Sequence, residues 1–229
     1  LEPVWPYNLI GDTSPLFDLA RRTYTARPYP LNQDWSFDPI QAARLGMRSE
    51  VGSTLVKLTE KYQQFVNGFA NWGGDSGEFY IEQTGVVATA LQEALVQDYD
   101  GTIRVAPAVP PGWDFDGSVW VRGRTKVDVQ VRNGVATTVV IEAGSAQLLS
   151  VRNPWPRHTV RIATHSAKGD AVASQSGATL SVRTATGADY ILEDAEAAPA
   201  RFMAIQGKRT TEAKELGPVS IGISASGGK

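Results

Sequence analysis

The hydrophobic period changes partway along the chain, and that change restricts the fold more than any single motif. From Lys126 to Arg132 the apolar residues Val127, Val129 and Val131 alternate with Lys126, Asp128, Gln130 and Arg132. A period of two is that of a strand with one face buried. Asn133-Gly134 follows, a pair suited to the two positive φ angles of a type I′ hairpin turn. The spacing predicts a returning strand from Val135 to Glu142, a turn at Gly144-Ser145 and another strand over Ala146–Val151. Further strands are expected at 158–163, 178–184, 188–193 and 219–223. Short strands separated by turn residues imply an antiparallel β-sandwich.

Ahead of Asp100-Gly101 the period is helical. A hydroxyl at Thr13 or Ser14 before Pro15 is a helix-start signal, with the helix ending before Arg27-Pro28. Asp38-Pro39 repeats that signal, and Gly46 is a stop. Val51, Leu55, Leu58, Tyr62 and Phe65 then mark the most periodic helix, opening at Ser49-Glu50. Residues 84–97 carry Val87, Ala90, Leu91, Ala94 and Leu95 on one stripe. The fold class expected is therefore α+β, with a helical region over 1–100 and a β-sandwich over 101–229. Pro107, Pro110, Pro111 and Gly112 form a stiff crossing between them. About four short helices cannot bury their apolar stripes alone, so further helices are expected upstream. The opening Leu1-Glu2-Pro3 is read as the start of a mature product or of a piece cut from something longer.

Composition narrows the function. A net charge of -2, with no basic run longer than Arg21-Arg22, offers no footprint for nucleic acid. No apolar run approaches the ~20 residues of a membrane span. The chain has no cysteine and two histidines, His158 and His165. Neither a disulfide framework nor a structural metal site is expected, and no cofactor. No nucleotide-binding, HExxH or G-x-S-x-G pattern occurs.

What remains is carboxylates among aromatic rings, the residue types of sugar chemistry. Glycosidases place two carboxyl groups about the scissile bond, and rings stack on sugar faces. The stretch from Asn71 to Gln83 holds Asp75, Glu78 and Glu82 with Trp72, Phe79 and Tyr80. Glu82 also suits a helix start, where a negative side chain gains about 0.3–1 kcal/mol, and Asp75-Ser76-Gly77 also suits a plain turn. Asp34-Trp35 with Asp38 is a second cluster, although Asp38 is more simply a helix cap. Asp114 and Asp116 beside Trp113 and Phe115 suit a sugar-binding edge or a covered junction. Asn153-Pro154-Trp155-Pro156 is expected to cap the sandwich.

One run of residues resembles a known family. Phe79-Tyr80-Ile81-Glu82-Gln83, the helix ending Ala94-Leu95-Val96-Gln97, the turn Asp98-Tyr99-Asp100-Gly101 and the segment Ile103 to Pro110 are similar to the end of the catalytic domain of glycoside hydrolase family 95. That family holds inverting α-L-fucosidases and related galactosidases. Its corresponding wording is F-Q-I-D-G-N-F-G-G, L-L-Q-S, H-D-G and L-P-A-L-P. Ala43-Arg44-Leu45-Gly46 and Asn67-Gly68-Phe69 resemble it upstream, and Gly117-Ser118-Val119 to Asp128-Val129 downstream, so the resemblance covers about residues 35–130. It implies the last helices of an (α/α)6 barrel followed by a β domain.

The resemblance also implies a carbohydrate substrate, hydrolysis with inversion and an extracellular or periplasmic setting. Glu82 falls on the family's catalytic base, an aspartate, while Gln83, Thr84 and Gly85 replace Gly, Asn and Phe. The longer side chain moves the carboxylate outward by about 1 Å. Trp35, Trp72 and Tyr80 are the candidate sugar-facing rings. The matching acid is expected in an N-terminal portion or a companion chain, so these residues alone are expected to be inactive. The competing class is a non-catalytic carbohydrate-binding or structural module.

Overall fold

The computed structural model describes residues 1–30, 36–63, 65, 68–71 and 79–198, and the backbone of 214–216 and 219–221. These form an α+β protein of two compact units. One holds Leu1–Ala94 with a hairpin near the C-terminus, and the other spans Leu95–Gln206.

In the first unit, α1 (Phe17–Thr25), α2 (Asp38–Arg44), α3 (Arg48–Tyr62) and α4 (Ile81–Leu95) are the helices among the described residues. Helix α1 begins two residues later than its hydroxyl signal predicts. Ser14 Oγ accepts the Leu16 amide at 3.2 Å and closes a turn ahead of the helix. At α2 the expected cap is corrected. Asp38 is the first helical residue, and Ser36 Oγ accepts its amide at 3.3 Å. The Asp38 carboxylate instead meets Arg27 Nε at 3.1 Å. Pro39 occupies the first turn, where a missing N–H costs nothing.

Helix α3 buries Val51, Leu55, Leu58 and Tyr62. It ends before Phe65, because Gln63 leaves helical geometry at ψ 63°. Two short strands, β1 (Ala70–Asn71) and β2 (Phe79–Tyr80), pair as Ala70↔Tyr80 and Asn71↔Phe79. Helix α4 starts at Ile81, three residues before its expected position, with no spacer after β2. Glu93 on α4 and Arg44 on α2 form a buried ion pair, Nε to Oε2 at 2.6 Å. Burial pushes the Glu93 carboxyl above its usual range, against the pull of Arg44. The hairpin β13 (Lys214–Leu216) with β14 (Val219–Ile221) completes this unit.

The second unit begins with β3 (Val96–Tyr99) and β4 (Thr102–Val105), then β5 (Phe115–Val121), β6 (Thr125–Arg132), β7 (Val135–Glu142) and β8 (Leu148–Arg152). It continues with β9 (Val160–His165), β10 (Ala171–Gln175), β11 (Thr179–Arg183) and β12 (Asp189–Asp194). One sheet runs β10-β9-β12-β7-β6-β5 and the other β11-β8-β4-β3. All pairs are antiparallel except β4 with β8, which run parallel at Thr102↔Ser150 and Ile103↔Val151. The alternating valines Val127, Val129 and Val131 bury fully, in one core with Val139 and Ile141 of β7 and Val151 and Leu180 of the other sheet. Each such side chain contributes roughly 1.5–3 kcal/mol on burial.

The hairpin turn is as its sequence predicts, with Asn133 at φ 51° and Gly134 at φ 74°. Gly144 is required for a different reason: a Cβ there would lie 1.8 Å from the Arg124 carbonyl oxygen. Trp155 is buried in the same core, and its Nε1 donates to the Ala136 carbonyl at 2.8 Å. Asn153 secures that segment by donating from Nδ2 to the carbonyls of His158 and Gly177. Asp98 on β3 accepts from the Arg122 amide at 2.8 Å and from its Nε at 2.7 Å, so a residue just past β5 is held to the edge of the other sheet.

Candidate functional site

Pleat alternation sorts the two rings of β2. Tyr80 lies on the inner face with its partner Ala70, packed with Leu58 and Tyr62 of α3 and 8% exposed. Its ring is a core element here, with little surface left for a sugar. Phe79 faces outward at 65% exposure. Its ring stands 4.5 Å from that of Phe65 and 5.8 Å from that of Phe69, the latter edge-on at 83°. Both distances lie within the range at which aromatic pairs attract. The sequence predicts Phe65 on the α3 stripe. Released from that helix, it joins an exposed aromatic cluster, through a turn closed by Gly68 N–H to the Phe65 carbonyl at 2.8 Å.

Because α4 starts immediately after β2, Glu82 falls in its first turn and is exposed. No hydrogen bond or ion pair holds its carboxylate among the described residues. Gln83, the next residue, is fully buried, and neither its Oε1 nor its Nε2 has a partner among the described residues. Thr84 Oγ1 next to it, Thr59 Oγ1 on α3 and Gln63 Oε1 just past its end are also buried without partners among the described residues. Buried polar atoms of this kind ordinarily bind water or a ligand group. This stretch of chain therefore carries an exposed carboxylate at a helix start, an exposed ring three residues before it and buried polar atoms without partners among the described residues. Trp35 and Trp72, and with them Asp34, Asp75 and Glu78, lie outside the described residues.

The other aspartates sort differently. Asp116 pairs with Arg132, with Nη2 2.8 Å from Oδ2, and Asp114 Oδ1 accepts the Asn133 amide at 2.9 Å. Both therefore hold the β6–β7 turn to β5 and the loop before it. His158 Nδ1 lies 2.8 Å from Asp194, which raises the imidazole above its ordinary value. Burial pulls the Asp194 carboxyl upward, but His158 and the Glu196 amide outweigh it and hold it below the usual range. Among the described residues no group of three or more His, Asp or Glu could hold a metal ion, and no helix is long and apolar enough to cross a membrane.

No family model matches the chain, and no curated protein matches it. Among solved structures, a crystal structure of a GH127 β-L-arabinofuranosidase from Geobacillus stearothermophilus T6 is similar, at 13% identity and a TM-score of 0.32. That alignment covers 89% of this chain and 32% of the arabinofuranosidase chain, so this chain spans about a third of it. A likeness at that level assigns this chain no activity.

Proposed function

We propose that the chain is part of a glycoside hydrolase that cleaves glycosidic bonds in oligo- or polysaccharides outside the cytoplasm. The observation that carries this reading is Glu82, exposed in the first turn of α4, three residues after the exposed Phe79, and without a partner among the described residues. The resemblance of Phe79 to Pro110 to family 95 supports it, since Glu82 stands where that family keeps its base. The reaction is an inverting one. Glu82 accepts a proton from the attacking water, and a second carboxyl group, supplied by another portion of the protein or a companion chain, protonates the leaving oxygen. The helices then belong to an (α/α)6 barrel completed by that portion. Tyr80 supports the base by packing β2 against α3, and Trp35 and Trp72 are sugar-facing rings.

The test is Glu82→Gln in the full-length protein, assayed on aryl glycosides including α-L-fucoside and α- and β-galactosides. Turnover falls by about 10²–10⁴-fold, the usual loss when a general base is removed, while the melting temperature holds. Unchanged turnover removes Glu82 from the mechanism.

A second reading, a carbohydrate-binding module, is favoured by Trp120. It is 69% exposed on β5, opposite Lys126, whose Nζ lies 2.7 Å from Glu142. An exposed indole flanked by ordered charges suits stacking on a sugar. Calorimetric titration of the chain with a glycan panel, repeated with Trp120→Ala, separates the two.

A further inference from the structure

A second feature of the helical unit lies apart from the Glu82 corner and does not depend on it. A cavity of about 330 Å³ opens between the end of α1 and the outer face of α3. That volume sits at the small end of the roughly 300–1,000 Å³ of small-molecule sites. Helix α3 contributes Glu50, Ser53, Thr54 and Lys57, and α1 contributes Tyr24, with Arg27 just beyond its end. Positions 50, 53, 54 and 57 share one face of a helix, yet here that face is charged and hydroxylated.

The hydrogen bonding shows what the cavity wants. Ser53 Oγ donates to the Glu50 carbonyl at 3.3 Å, and Thr54 Oγ1 to the carbonyls of Glu50 and Val51 at 2.6 and 3.2 Å, so both hydroxyl protons are committed and what each oxygen can still do is accept. Tyr24 Oη donates to the Asp38 carbonyl at 3.1 Å, and burial keeps the phenol protonated. The Tyr24 ring is fully buried, with the Arg27 guanidinium 3.8 Å from its centroid, so it offers no face for a nucleobase. The Glu50 carboxylate and the Lys57 ammonium have no hydrogen-bond or ion-pair partner among the described residues. They stand roughly 10 Å apart along the helix. Arg27 adds a second cation on the opposite wall, fixed by Asp38 at 3.1 Å and by the Tyr24 carbonyl, to which its Nη1 donates at 2.6 Å.

A ligand that satisfies this wall brings several donors for Glu50, Ser53 and Thr54, and one anionic group for Lys57 and Arg27. A neutral polyol leaves Lys57 uncompensated, and a bare anion leaves the acceptors unmet. We propose that this cavity binds an acidic monosaccharide unit, a hexuronate, with its carboxylate toward Lys57 and Arg27 and its hydroxyls toward Glu50.

The test is calorimetric titration of the 229-residue chain with D-glucuronate and D-galacturonate, beside D-glucose and D-galactose at the same ionic strength. At least one uronate saturates, and its neutral counterpart binds about tenfold or more weakly, the difference that ~1.4 kcal/mol produces. Lys57→Met removes that preference, and Glu50→Gln weakens both sugars alike. Both side chains are at least partly exposed, so these variants fold as the parent does, and the wild-type comparison needs no variant. Equal binding of charged and neutral sugars overturns the proposal. So does saturation by neither uronate, or a preference that survives Lys57→Met. The readout is binding, so a failure here leaves the assignment of Glu82, which is read by turnover, untouched.

Discussion

The two units use their charges in opposite ways. In the β unit the carboxylates that attract notice are committed to partners: Asp98 to Arg122, Asp116 to Arg132, Glu142 to Lys126, Glu193 to Arg161 and Asp194 to His158. In the helical unit Asp38 and Glu93 are paired, but Glu82, Glu50 and Lys57 have no partner among the described residues. A carboxylate near an aromatic ring is therefore a poor sign of a site by itself. Asp116 follows Phe115 and Trp113 in the chain and serves structure, while Glu82 follows Phe79 and has no partner among the described residues. The sandwich reads as a stability element and the helical unit as the place where binding chemistry remains unmet.

That contrast can be broken or sharpened by substitution. The largest loss of stability is expected at the buried pair of the helical unit. Glu93→Gln leaves Arg44 charged and enclosed, at a cost of about 3–5 kcal/mol, while replacing both residues with apolar ones of similar volume restores most of it. Denaturant unfolding measures both variants. If Glu93→Gln is neutral, the pair is not the anchor between α2 and α4 that its burial implies. Next comes the sandwich core, where Leu192→Ala is expected to cost about 2–5 kcal/mol through the cavity it leaves. Its midpoint in urea should drop well below that of the parent.

Smaller effects discriminate more finely. Asp116→Asn removes a half-exposed ion pair worth about 0.2–1 kcal/mol, whereas Glu82→Gln should shift stability by no more than about 0.5 kcal/mol. A change in glycan binding on Asp116→Asn would erase the division between the units. The smallest effect is a pH dependence at His158. Its raised pKa contributes stability fully present below about 6.5 and lost as pH rises through the folded value. The lowered pKa of Asp194 contributes stability present above about 3.9 and lost as pH falls through its folded value. Melting curves of the parent and His158→Asn should therefore differ most between about pH 4 and 6.5 and converge toward pH 9. A constant difference would show that the pair does not titrate with folding.

Periodicity carried much of the architecture. The alternation at 126–132, the Asn133-Gly134 turn and the helical stripe of Val51, Leu55, Leu58 and Tyr62 are each local patterns, legible because a buried face repeats with the backbone's own period. Two strands next to the helical region were harder to see. Val96–Tyr99 continues the apolar run of α4, and a short apolar segment does not declare its period. The parallel pairing of β4 with β8 joins residues almost fifty positions apart, which no local pattern announces.

The candidate site shows the same limit. Residue types and the family resemblance pointed to Glu82, and its place at a helix start was legible. Which ring beside it faces solvent was not, because Tyr80 and Phe79 are adjacent and only the pairing with Ala70 and Asn71 sends one inward and the other outward. Nor could the sequence couple Asp38 to Arg27, or gather Tyr24, Arg27, Glu50 and Lys57 about one cavity. The chain by itself determined the sequence of helix and strand, the hairpin turn and the types of group available for chemistry, since these follow from propensity, period and side-chain identity. The tertiary structure decided which of those groups are neutralised by partners and which are left free, because pairing and burial depend on residues that only folding brings together.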